Sequence, residues 1–432
     1  MLRFVTSIAL ARLLAPQLFG LMLIVGTFRA GIELFSDVGI GQNIVYSKNA
    51  EDPDFYNTAW SLQIIRSVAI WVIFIALSAP VAYFYKEPVI LYILPVAGFG
   101  IIFSGLNSVS PALLQKRLLI ARVNIFELVV QLVSAIGAVL FAFFSRTIWA
   151  LVAGGLFTSA VYTIGSYFLL PNLRHKLYLS KQYSMEILHF GKWIFLSSVI
   201  FFLSVNYDRL YFAKVIPIEL LGVYGIARNI SDLIVNLVGR LGYNVVFPFI
   251  ASHSQTPRAA LHQQLARPRA AFLLLVAAGA SVLVATADLA IRLLYDQRYS
   301  AATWMLPVLI VGAWFSVLGR VNESILLGLG KPSYATLANA AKFAFLLVGL
   351  PLSVAAGGLL GGVLVVALVD LPRYLPILIG QRRQRLSYGM QDLKITIVMF
   401  LLIGLWEFLR WQLGFGTSFD SLPSFEFKGF GG

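Results

Sequence analysis

The chain has 432 residues, 59% of them hydrophobic and only 12% charged, with a mean hydropathy of +0.84 and a formal net charge of +14. A soluble domain carries about 25% charged residues, so this composition excludes a water-soluble protein and fits lipid as solvent. The absence of cysteine excludes disulfides and thiolate metal sites, and the basic excess fits cytoplasmic loops of a membrane protein better than nucleic-acid binding.

Apolar runs of spanning length, about 20 residues, alternate with short polar connections. In chain order they predict helices at 1–14, 18–45, 58–83, 89–114, 123–144, 148–170, 190–212, 220–250, 270–294, 301–329, 334–354 and 359–379. A thirteenth run follows at 395–411, and its length leaves open whether it spans. The runs do not alternate apolar and polar residues, so they are helices and not barrel strands. The expected organisation is an N-terminal bundle at 1–182, a second bundle at 183–390, and an extra helix with a disordered, Gly/Ser-rich tail at 391–432.

Connections after even-numbered helices carry sixteen Lys and Arg residues, and those after odd-numbered helices carry five: Arg12, Lys86, Arg146, Lys214 and Arg298. The positive-inside rule therefore places the even connections and the N-terminus in the cytoplasm. The outward connections are too short to fold into a domain. His175, His189, His253 and His262 fall in polar connections without metal-ligand spacing and are expected to be solvated. Trp149, Trp193, Trp304, Trp406 and Trp411 lie near helix ends, where interfacial anchoring is expected.

The two halves are alike. "ARLLAPQLFGL" (11–21) aligns with "AKVIPIELLGV" (213–223), and "LPVAGFGIIFSGLNSV" (94–109) aligns with "LPVLIVGAWFSVLGRV" (306–321), the latter with eight of sixteen positions identical. Six helices per repeat is an even number, so both halves enter the membrane in the same sense, the parallel-repeat plan of some secondary transporters. The fold expected is an all-α integral membrane protein of two pseudo-symmetric six-helix bundles plus one C-terminal helix. Ten residues precede Ala11, against about 23 from the start of the matching helix to Ala213, so the first helix is expected to be truncated.

"ARLLAPQLFGL" leading into "LFSDVGIGQNIVYSK", followed by "FGKWIFLSSVIFFLSVNYDRLYFAKV", "LGVYGIARNISDL" and "VVFPFIASHSQ", resembles the polysaccharide or O-antigen flippases. These belong to the multidrug/oligosaccharidyl-lipid/polysaccharide exporter superfamily. The resemblance implies two bundles around a central cavity, alternating access, residence in the cytoplasmic (inner) membrane, and a polyprenyl-diphosphate-linked oligosaccharide as substrate. Other polysaccharide assembly proteins are expected partners, and nucleic acid is not.

Ionisable residues at membrane depth cost about 2.5–3.5 kcal/mol each on insertion scales, so they are the candidates for function. Arg29, Glu33 and Asp37 share one face of the second helix, and Arg228, Asp232, Asn236 and Arg240 one face of the eighth. Asp208 and Arg209 sit late in the seventh helix, Arg320 and Glu323 in the tenth, Lys342 in the eleventh without an acid in its own helix, and Asp370 and Arg373 in the twelfth. Arg29, Arg228, Arg320 and Lys342 are expected to meet a diphosphate or acidic sugar, with Arg209 and Arg373 beside them. Glu33, Asp232, Asp37 and Asp208 are the candidates for H⁺ or Na⁺ coupling. No nucleotide loop or catalytic constellation occurs, so neither an enzyme nor a cofactor is expected. A cation-coupled multidrug exporter is the second reading. A membrane-bound glycosyltransferase or polymerase is the third, with Asp52 and Asp54 its sole acidic pair in a connection.

Overall fold

A computed structural model describes residues 2–36, 40–253 and 256–423. Among them the regular structure is helical, with no strand. The chain divides into two compact units, Met1–Phe202 with Ala213–Glu219, and Leu203–Phe212 with Leu220–Gly432.

The first unit holds α1 (Leu2–Leu13), α2 (Pro16–Phe35), α3 (Ile40–Tyr46), α4 (Pro53–Tyr85), α5 (Ile90–Gly105), α6 (Ser110–Lys116), α7 (Ile120–Phe144) and α8 (Ile148–Phe168). Proline opens α2 and α4, where a missing N–H costs nothing. The Asp52 carboxylate caps α4 by accepting from Asp54 N–H at 3.0 Å and from the Tyr183 hydroxyl at 2.7 Å. The acid proposed for a glycosyltransferase is thus occupied as a helix cap. α5 and α6 are one broken span, bent by 50° at the break.

α9 (Lys181–Val215) contributes to both units. The second unit continues with α10 (Ile218–Leu241), a π-helical turn (Gly242–Val246), α11 (Phe247–Ser252), α12 (Arg258–Leu294), α13 (Ala302–Gly328), α14 (Ser333–Leu368), α15 (Asp370–Arg383) and α16 (Gly389–Gln412). α14 breaks at Gly357–Gly358, where Gly358 takes φ +56°, a conformation that glycine adopts without a Cβ clash. The eleventh and twelfth predicted helices meet at this break. α13 is the centre of its unit: 89% of its apolar window is buried, against 17% for the lipid-facing α7.

Among the described residues, seven helical stretches are long and apolar enough to cross a membrane, or eight with the bent α5–α6 pair. The longest, Ser333–Arg383, contains two of the predicted spans. The other predicted spans are α1, which is short, and α9, α10 and α16, which carry charges. The repeat appears as local register: Leu94 and Leu306 are each the fifth residue of their helices, as are Gly20 and Gly222.

Several sequence expectations need correction. The second predicted helix is two, α2 and α3, and the eighth is interrupted by the π-helical turn. Arg269, read as a loop cation, lies inside α12 at 6% exposure. Three histidines are packed: His253 stacks on Phe249, His262 stacks on Tyr388 at 4.5 Å, and His175 lies among Tyr56, Trp60 and Tyr167 with Nε2 3.3 Å from Val109 N. Trp304 is buried at 7% and is no interfacial anchor. The tail beyond α16 folds back as far as residue 423, with Ser418 fully buried against Glu407. The side chains of His189 and Trp193 fall outside the described residues.

Candidate functional site

In the second unit, α9, α10, α13, α14 and α15 bring their charges into one network. Tyr224 donates to Asp208, and the Arg228 Nε lies 3.6 Å from Asp208 and 3.5 Å from Asp232. Arg209 donates to Asp232 at 2.9 Å and to Asn206 at 3.3 Å. On α14 and α15, the Lys342 ammonium donates to both Asp370 oxygens at 3.1 Å. Ser316 of α13 donates to the same carboxylate. Arg373 pairs with Glu323, approaches Asp370 at 3.9 Å and donates to Asn339 at 3.3 Å. A Cβ on Gly319 would stand 2.7 Å from the Arg373 guanidinium, so the absence of a side chain there lets Arg373 cross α13.

Among the described residues this network contains five cations (Arg209, Arg228, Arg320, Lys342, Arg373) and four carboxylates (Asp208, Asp232, Glu323, Asp370). Every cation but one has a carboxylate within 4 Å. The exception is Arg320, whose guanidinium makes no hydrogen bond or ion pair among the described residues, because its neighbour Glu323 turns to Arg373. Lys342, expected to carry uncommitted charge, is instead matched by Asp370 from the next helix. Asp208 Oδ1 is buried without a hydrogen-bond partner among the described residues.

In the first unit, Arg29 donates from Nε to Glu33 at 2.9 Å, one turn along α2. Both line a cavity of about 630 Å³ walled by α2, α3, α4, α5 and α6, with Tyr162 of α8. Arg66 of α4 also lines it; its Nη2 donates to the Glu33 carbonyl at 2.7 Å and to Ser36 Oγ at 3.1 Å, satisfying groups at the frayed end of α2. Gln63 donates to the carbonyls of Ser104 and Gly105 at the α5–α6 break, at 2.9 and 3.1 Å. Asp37 lies outside the described residues. Arg66 is not among the charges singled out from sequence, and Asp370, singled out there, is given no role. The same depth criterion points to Arg66, a single cation inside the apolar run 58–83.

This helical architecture is that of multi-pass membrane transporters of known structure. It matches the lipid II flippase MurJ in an inward closed conformation with a TM-score of 0.70 at 12% identity, over 94% of this chain and 89% of that one. It also matches an inward-facing multidrug resistance MATE transporter of the MOP superfamily, with a TM-score of 0.66 at 12% identity, over 88% and 93%. At such identities the likeness is one of fold. Residues 9–303 match the family described as "Polysaccharide biosynthesis protein", and the chain belongs to that family.

Named relatives include the lipopolysaccharide biosynthesis protein WzxC of Escherichia coli K12, 24% identical over 58% of this chain and 51% of that one. The teichuronic acid biosynthesis protein TuaB of Bacillus subtilis 168 is 22% identical over 70% and 62%. The succinoglycan biosynthesis transport protein ExoT of Rhizobium meliloti 1021 is 22% identical over 57% and 50%. The matched part spans about half to three-fifths of these relatives' lengths.

Proposed function

We propose that this protein moves a polyprenyl-diphosphate-linked oligosaccharide across the cytoplasmic membrane by alternating access, with its N-terminus in the cytoplasm. The observation that carries the reading is Arg320, a guanidinium with no carboxylate partner in a network of five cations and four acids. A charge at membrane depth is costly unless paired, and a diphosphate provides the missing anion with bidentate geometry. Arg228 and Lys342, each held by a carboxylate, hold the network in place around Arg320. Arg29, beside the cavity of the first unit, is a second cationic contact for the sugar or the diphosphate. Glu33 at that cavity and Asp208 and Asp232 in the network take the coupling role, Asp208 having an oxygen free to hold a proton. Polysaccharide assembly proteins that consume the product are the partners this reading needs.

The fold likeness to a MATE transporter leaves a multidrug exporter as the second reading. An excess cation, however, disfavours the lipophilic cations such exporters would have to admit. Cells lacking the chromosomal gene and carrying Arg29→Gln or Arg320→Gln should lose polymer at the surface with normal protein in the membrane. Surface polymer at wild-type level with either variant contradicts that residue's role. Loss of drug tolerance with polymer unchanged would establish the exporter instead.

A further inference from the structure

We propose that the recess at the turn from α4 into α5 is a headgroup site for an anionic glycerophospholipid, its phosphate held between Lys86 and Lys214. The recess belongs to the first unit and has a volume of about 760 Å³. Ala79, Ala82 and Leu91 make an apolar wall, and Tyr83 and Tyr92 stand exposed at its rim. Lys86 ends α4 in the left-handed conformation (φ 58°), which fixes the root of its side chain at the mouth. Lys214 is moored from the other side. Its ammonium donates to the Phe84 carbonyl and lies 4.2 Å from the centre of the Phe84 ring.

Three features point to a lipid phosphate. Basic residues are disfavoured in connections that leave the cytoplasm, yet two of the five found there converge on this recess. Neither ammonium has a carboxylate within 4 Å among the described residues, and each keeps N–H donors to spare. Burial, and after it the charge of Glu219, raise the pKa of the nearby acid Glu87. The apolar wall also continues down the helices as lipid-facing stripes, Val72, Ile75 and Ala79 on α4 and Tyr92, Val96 and Phe99 on α5. Acyl chains would lie along these stripes with the phosphate at the level of the tyrosines, where interfacial aromatics sit. A free anion would gain nothing from that wall. The assignment to the outer leaflet and the rarity of basic residues in these connections rest on the orientation proposed above; the lack of a carboxylate near either ammonium and the apolar wall do not.

The test is native mass spectrometry of delipidated protein in detergent, offered phosphatidylglycerol and phosphatidylcholine of equal chain length. Wild type should retain phosphatidylglycerol with a preference of roughly tenfold. Lys86→Gln/Lys214→Gln should lose the preference, and Lys86→Arg/Lys214→Arg should keep it. Arg146→Gln/Arg298→Gln removes the same charge elsewhere in odd connections and should bind as wild type. An unchanged ratio in the Lys86/Lys214 pair, an equal loss in the Arg146/Arg298 pair, or displacement of the lipid by millimolar inorganic phosphate overturns the proposal. No transport is measured, so these results stand apart from success or failure of the flippase reading.

Discussion

Lys342 and Arg320 are both cations inside apolar helices, and their surroundings make them answer differently to neutralisation. Lys342 and Asp370 are each less than 10% exposed and bonded to one another. Lys342→Ala removes the nearest cation from a buried carboxylate, leaving it Ser316 and Arg373 at 3.9 Å, a loss of up to about 3–5 kcal/mol, so the purified protein should melt earlier and its level in the membrane should fall. Arg320→Gln removes no ion pair, so its melting temperature should stay near wild type while export is lost. Thermal unfolding in detergent beside an export assay separates the two. His175 offers a second residue-level test outside the spans. Burial lowers its pKa below the usual histidine value of about 6.5. Its docking on Ser108 and Val109 is then fully stable above that value and weakens as pH falls toward the lowered one. Hydrogen exchange of 173–180, corrected for intrinsic rate, should quicken at pH 5 relative to pH 7.5, and His175→Phe should abolish the difference. The cost of charge in lipid marked Arg29, Arg228 and Lys342 in the sequence. It could not show who pairs with whom, because Asp370, Glu323 and Asp208 reach their partners from other helices.

At the scale of elements, two ion pairs fasten α16 to α12. Arg269 meets Asp392, and Arg410 grips Asp288 with two bonds at 2.7 and 3.0 Å. The pairs are 19 residues apart on α12, about 28 Å of helix, close to the thickness of the hydrocarbon core. α16 therefore runs parallel to α12 over about 28 Å, a length compatible with spanning. Asp288→Ala should destabilise by up to about 3–5 kcal/mol by leaving Arg410 buried with carbonyl partners but no ion pair, whereas Asp288→Leu/Arg410→Met should recover much of it. Unfolding midpoints of the two variants decide this. Periodicity and length made the helices legible, but not their breaks. The bend between α5 and α6 and the π-helical turn after α10 occur inside apolar runs that read as continuous, although Pro111 and Pro248 open the helices that follow them. Arg269 was hidden for the opposite reason: it follows Pro268 among other basic residues and reads as loop, although α12 runs through it.

For the whole molecule, the basic bias leads us to propose an orientation, and the absence of native cysteine makes it easy to test. Single cysteines at 86, 146 and 298 should react with an impermeant maleimide in intact cells. Those at 122, 176, 267 and 383 should react only after permeabilisation, and two or more on the wrong side would overturn the topology. Transport is the central claim, and reconstitution addresses it most directly. Proteoliposomes loaded with a fluorescent polyprenyl-diphosphate-linked oligosaccharide from the matching polymer pathway should expose it to an external reductant or lectin when wild-type protein is present. With Arg320→Gln, movement should fall to the protein-free rate while the reconstituted amount is unchanged. Equal exposure with wild type, Arg320→Gln and empty vesicles would contradict the account.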